Sequence, residues 1–302
     1  MQIRTVLGAC LLVSSTAVAQ PAPKTPAPAA APPAAGAPAV PPPAPKAPAP
    51  KAPAKKDAKK GPKVDLTPLV TAMSSANPEN AAKAAEQLGA STEPAAHDAL
   101  LDALAFGVPS SVALSTIAAL AMHPAPPDVP ALRRYANHHN PAVRGAALGA
   151  LALYPDPAAH TLVVEGLHDP VGLVRGAAAG AAAQGHVKEA VETLFVLLGK
   201  GEEPAARALA QMADGDLARK LGDQLGKVPD PMLALSLGIL LRRADFGPDT
   251  ARVDVVRALA KINDQSSTKA LVDYLDATPK NPPRPSRAEA QKIVEARVGG
   301  GK

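Results

Sequence analysis

Apolar positions along this chain recur at helical spacing rather than in strand-like alternation. Leu100-Leu101-Leu104, Leu162-Val163-Leu167, Leu194-Leu197-Leu198 and Leu217-Leu221-Leu225 each set Leu or Val at intervals of one helix face. Each such segment follows a run rich in Ala, Leu and Gly. One of these, Val143-Arg144-Gly145-Ala146-Ala147, returns as Val174-Arg175-Gly176-Ala177-Ala178, an offset of 31 residues. Lys83, Ala113, Arg144, Arg175 and Arg207 fall 30, 31, 31 and 32 residues apart at the starts of these runs. Asn77-Pro78, Pro126-Pro127-Asp128, Asn140-Pro141, Asp156-Pro157, Asp169-Pro170 and Pro229-Asp230-Pro231 mark turns between them. Two helices per unit at a fixed short period predict an all-α fold: an α-solenoid of about six to seven short helical-hairpin repeats.

Toward the C-terminus the period loosens. Residues 232–243, 251–262 and 267–275 read as three helices of an irregular terminal unit. Pro279, Pro282-Pro283 and Pro285 then break the chain. Ser286-Arg287-Ala288-Glu289 has the spacing of a capping box. Residues 279–302 are read as a tail that either docks as a cap helix or frays.

The sequence Asp169-Pro170-Val171-Gly172-Leu173-Val174-Arg175 has an acid, four residues and Val-Arg, followed by an Ala-rich helix and then a Leu-rich one. His138 through Val143-Arg144 repeats the pattern with His in the acid slot, and Gly201 through Arg207 with Gly there. In this the chain resembles the HEAT-repeat family, in its short form called PBS-lyase-like HEAT repeats. The resemblance spans about residues 66–278 and is strongest over 140–200. It implies a stack of helices with an extended surface for protein partners, and says little of any activity. Arg144, Asp169, Arg175 and Arg207 are its repeat positions. The arginines are either a ladder for an acidic ligand or structural groups bonding turn carbonyls and an Asp such as Asp169.

Activities carried by related folds lack their residues here. Deoxyhypusine-type hydroxylases use His-Glu pairs for di-iron, and no His-Glu dipeptide occurs. Bilin lyases attach chromophores to cysteine, and the single Cys lies in the segment expected to be removed. HEAT-like DNA glycosylases need aromatic surfaces and a basic face, whereas this chain has no Trp, three Tyr and three Phe. No Gly-x-Ser-x-Gly, Walker A or dinucleotide fingerprint appears. Stacked turns would bring His138, His168 and Asp169 together as ligands for Zn²⁺ or Ni²⁺, the alternative being solvated turn histidines. No cofactor is expected.

Charge and proline divide the 302 residues unevenly. The formal net charge is +5. Residues 1–63 hold nine Lys/Arg and one acid, +8, and residues 279–302 contribute +4. The helical stretch 64–278 holds 17 Lys/Arg and 24 Asp/Glu, −7, which disfavours tracking of nucleic-acid phosphates. Residues 1–19 read as a secretory signal: Arg4, an apolar core over 6–13, and Ala17-Val18-Ala19 before Gln20. Leu7-Gly8-Ala9-Cys10 offers a second processing route, a lipoprotein box with Cys10 lipidated. Residues 20–63 read as a disordered Pro/Ala/Lys linker, with 15 of the 35 prolines. Its Lys46, Lys51, Lys55, Lys56, Lys59, Lys60 and Lys63 either solubilise a tether or contact anionic envelope polymers. These features together predict an exported, periplasmic or extracellular, non-enzymatic scaffold for an unidentified protein partner. A structural spacer or envelope organiser is the alternative, and a lyase-like subunit the least favoured.

Overall fold

Asn77-Pro78, Asn140-Pro141 and Asp156-Pro157 start helices because the two residues of each pair do complementary work. The computed structural model describes residues 65–299; the expected signal, Cys10, the linker and its lysines lie outside the described residues. Among those described, fifteen α-helices and no strand occur. They run α1 (Thr67–Met73), α2 (Pro78–Gly89), α3 (Pro94–Phe106), α4 (Ser110–Leu120), α5 (Asp128–Ala136), α6 (Pro141–Leu151), α7 (Pro157–Gly166) and α8 (Gly172–Gln184). After a short 3₁₀ turn come α9 (Val191–Gly199), α10 (Glu203–Met212), α11 (Gly215–Gly222), α12 (Asp230–Arg242), α13 (Asp249–Lys261), α14 (Gln265–Ala277) and α15 (Pro285–Gly299). Asn77, Asn140 and Asp156 accept hydrogen bonds from the N–H groups of Glu79, Ala142 and Ala158 at 2.9, 2.9 and 2.8 Å. The proline behind each cap occupies the first helical position, where its missing N–H costs nothing.

The helices form two layers. Even-numbered helices from α2 to α14 pack side by side, each against the next even one, while most odd-numbered neighbours touch more sparsely. This is an α-solenoid of short helical hairpins, with seven even–odd pairs behind α1. The difference between layers follows from residue size. On α8 the buried set is Val174, Ala178, Ala179, Ala181, Ala182 and Ala183, so its backbone can approach both neighbours. A Cβ on Gly89 would lie 2.5 Å from the Ala119 Cβ, and one on Gly145 3.0 Å from the Ala177 Cβ. Leu100, Leu104, Leu132, Leu194, Leu197 and Leu198 of the odd layer fill the space beneath. At about 0.8 kcal/mol per buried CH₂, the alanine seams must draw stability from many small contacts.

The C-terminal section is more regular than its sequence suggests. α12 packs between α10 and α14, and α13 contacts α11 and α15, so no separate three-helix unit exists. Longer turns hide the period: α12 and α14 begin 35 residues apart, at Asp230 and Gln265. Residues 285–299 form α15, docked on α13 and α14 with Ile293 and Val294 against the core. Ser286 does not cap that helix as a box would; its backbone N–H and hydroxyl both go to Asp249.

Arginines close several helix ends where glycine often does. Arg243 donates to the carbonyls of Ala210 and Ala213 at 2.8 Å each. Buried Arg252 reaches those of Leu241 and Arg243 at 2.6 and 2.8 Å. Arg297 reaches those of Ala260 and Ile262 at 2.8 and 3.0 Å. Each satisfies carbonyls left without partners at a helix C-terminus and places positive charge at the negative end of its dipole.

Candidate functional site

The repeat arginines stand near the N-terminal ends of α6, α8 and α10, just behind the turns that lead into them. Arg144 donates from Nη1 to the His138 and His139 carbonyls of its own turn, at 3.0 and 3.2 Å. Its Nε and Nη2 grip both Asp169 oxygens of the next turn at 2.8 and 2.9 Å. Arg175 repeats the arrangement, bonding the Asp169 and Pro170 carbonyls at 2.9 and 3.2 Å and Glu202 at 2.8 Å. Arg207 does not extend this series. It pairs with Glu203 one turn back on α10 at 2.9 Å and is 55% exposed, because Lys227-Val228-Pro229 before α12 offers no acid.

The Arg144 guanidinium, helped by the Val171 N–H, holds the Asp169 carboxyl below its ordinary range against a smaller opposing effect of burial. A carboxyl lowered on folding adds stability above its unfolded value of about 3.9, lost as pH falls through the lower folded value. The melting-temperature gap between the native chain and Asp169→Asn should therefore be full near pH 6 and narrow below about pH 4. A gap constant down to pH 2 in thermal unfolding would show that the charge of Asp169 contributes nothing.

His138, His168 and Asp169 are not assembled as ligands. Asp169 is occupied by Arg144, while the His138 ring accepts the Asn140 N–H at Nδ1 (3.1 Å) and stacks on Tyr135, centroids 5.7 Å apart. His138 is thus half-buried rather than a solvated turn residue. Burial first, then His139, lowers its pKa. Among the described residues no three His, Cys, Asp or Glu side chains form a metal-holding group.

Two carboxylate clusters, one buried and one half-buried, lock successive repeats. Asp128, the first residue of α5, is fully buried and accepts from His97 Nε2 at 2.6 Å, the Ala125 N–H at 2.9 Å and the Tyr154 hydroxyl. Burial first, then Asp128, drives the Tyr154 phenol far above its usual value. Asp249, the first residue of α13, accepts from the Ser286 hydroxyl at 2.5 Å. Because Ser286 spends its proton there, Tyr274 must donate to Ser286, at 2.6 Å. In both clusters an acid opens an odd helix and a tyrosine follows 26 or 25 residues later. That shared layout assigns His97, despite its catalytic-looking carboxylate partner, to a structural lock. The sequence signal was the acid–tyrosine spacing, obscured because Asp128 reads first as a turn residue.

A groove of about 620 Å³ lies between α11 and α13. It exists because α11 has only eight residues and the chain then turns through residues 223–229. Leu225, Leu237, Phe246 and Val255 line it, and Arg219, Arg257, Lys261, Asp223 and Asp254 stand along it. No helix among the described residues is long and apolar enough to cross a membrane.

Residues 109–183 match the HEAT repeats family. No curated protein matches the chain significantly in sequence. Among solved structures, the complex of CpcE and CpcF of phycocyanin lyase from Nostoc sp. PCC7120 is similar at 18% identity, over 80% of this chain and 98% of that chain, with a TM-score of 0.43. A Kap121p mutant is similar at 15% identity, over 77% of this chain and 29% of that one, TM-score 0.45. An engineered protein is similar at 20% identity, over 78% and 98%, TM-score 0.33.

Proposed function

We propose that this chain is an exported, non-enzymatic scaffold that holds a protein partner in the cell envelope through the α11–α13 groove. Export rests on the signal-like residues 1–19, and a HEAT-type solenoid supports a protein-interaction role. The observation that carries the site is the groove itself: half-buried Leu225, Ala251 and Ala258 left accessible beside a short helix and rimmed by charges of both signs. Such a surface suits an apolar partner segment flanked by charge, the apolar residues supplying affinity and the rim orientation. The linker lysines add electrostatic attraction to anionic envelope polymers, which keeps the body near the surface where the partner resides.

Ala258 lines the groove and is half-buried, so Ala258→Arg fills it at little expense to the core. Proximity labelling in the native host should enrich a partner with the native chain and lose it, by about tenfold or more, with a variant of unchanged melting temperature. Equal enrichment by both chains would remove the groove from consideration. Recovery of the protein in the cytoplasmic fraction would overturn export.

A further inference from the structure

We propose that the open pocket where the α3–α4 and α5–α6 turns meet binds a carboxylate-bearing peptide segment, with an apolar side chain of that segment covering Phe106. The site is separate from the α11–α13 groove and does not depend on it. The pocket holds about 480 Å³, within the range of ligand sites of about 300–1,000 Å³. No acidic residue lines it, although residues 64–278 carry −7 overall. Its polar groups are Arg134, Asn137, His138 and His139.

Each of these has donor capacity to spare. Arg134 gives one N–H of Nη1 to the Ala105 carbonyl at 3.3 Å, and no carboxylate pairs with it among the described residues. The remaining guanidinium N–H groups form the fork that carboxylates fit. Because His138 accepts at Nδ1, its neutral ring carries the proton on Nε2, a second donor. The ring stacks on Tyr135 and is flanked by the tilted His139 ring, whose centroid lies 4.1 Å from it. Tyr135 is in turn anchored through its hydroxyl to the Leu104 carbonyl at 3.0 Å. The donors are therefore held before any ligand arrives, which lowers the entropy lost on binding.

Phe106 identifies a peptide rather than a free anion. It is the last residue of α3 and is 89% exposed, the most exposed of the large apolar side chains among the described residues. Gly107, with φ of +86°, follows it directly and lines the pocket, so Phe106 is the chain neighbour of the pocket wall. A small solvated anion leaves this ring in water. A peptide carrying an apolar residue beside its carboxylates covers the ring while the carboxylates meet Arg134 and His138.

The test uses the full chain and a fluorescent Glu-Glu-Phe-Glu-Glu peptide, followed by anisotropy, with Lys-Lys-Phe-Lys-Lys as control and inorganic phosphate as competitor. The acidic peptide should bind saturably and the lysine peptide should not. Arg134→Ser should weaken binding about tenfold, the loss of one charge-assisted hydrogen bond. Phe106→Ser should weaken peptide binding several-fold and leave competition by phosphate unchanged. Both side chains are exposed, so each variant should melt like the native chain. Indifference to Arg134→Ser, or equal binding of the lysine peptide, would overturn the proposal. Equal affinity of the native chain and Phe106→Ser would reduce the pocket to a small-anion site and reject the peptide.

Discussion

Replacing Asp128 with alanine should lower the melting temperature of the helical body by roughly 6–20 °C. That range follows from about 3–5 kcal/mol for removing one partner of a buried charged cluster, at about 2–4 °C per kcal/mol for a body of this size. The carboxylate is fully buried and serves donors from three segments: His97 on α3, the Ala125 N–H before α5, and Tyr154 after α6. Without it all three lose their acceptor at once, and Tyr154 is itself buried. Tyr154→Phe should cost less, about 1–2 kcal/mol, because Asp128 keeps its other donors. Circular dichroism melts of the two variants, ranked in that order, would establish the carboxylate as the centre of the cluster. An Asp128→Ala loss below about 1 kcal/mol would mean that water reaches the cluster and takes over its hydrogen bonds.

Gly89→Val should destabilise the body by about 3 kcal/mol, the upper part of the usual overpacking range. The first added carbon would stand 2.5 Å from the Ala119 Cβ and 2.7 Å from its Cα, so backbone rather than a movable side chain must yield. The α2–α4 seam would have to open along its length. Gly149→Ala provides the contrast. A Cβ there meets nothing within 4 Å, and the residue lies inside α6. It should gain close to the helix-propensity difference of about 1 kcal/mol. Opposite signs for two glycines in the same layer would separate close packing from backbone entropy. Denaturant midpoints measured at constant m-value are sufficient to read both.

What the sequence made legible is the part of the fold that repeats. Val143-Arg144 and Val174-Arg175 recur because each valine enters the core and each arginine bonds its own turn. The Asn-Pro and Asp-Pro pairs were readable as turns because capping is local. Arg207 fell in the same periodic series yet lacks its neighbour's acid, a property of a distant turn that periodicity cannot report. The Asp128 and Asp249 clusters stayed hidden for a related reason: each joins three segments, and only one pair in each keeps a common spacing. The α11–α13 groove was equally illegible, since a groove is the absence of side chains between helices whose own patterns are ordinary. The pocket beside Phe106 was half visible. Its histidines stood out, but their stacking on Tyr135 and the lack of acids around them required the packed turns.

The placement of the two carboxylate locks bears on where the stack gives way. In a linear array each unit is held only by its neighbours, so the weakest coupling decides where a boundary between ordered and melted segments forms. Here one lock spans α3 to the end of α6 and the other spans α13 to α15. Between them α8 and α10 meet largely through alanines, and the half-buried ion pair of Arg175 with Glu202 ties α8 to the turn before α10. The array is thus tied by a carboxylate cluster toward each flank, while its interior relies on seam packing and on arginines that reach from one repeat to the next.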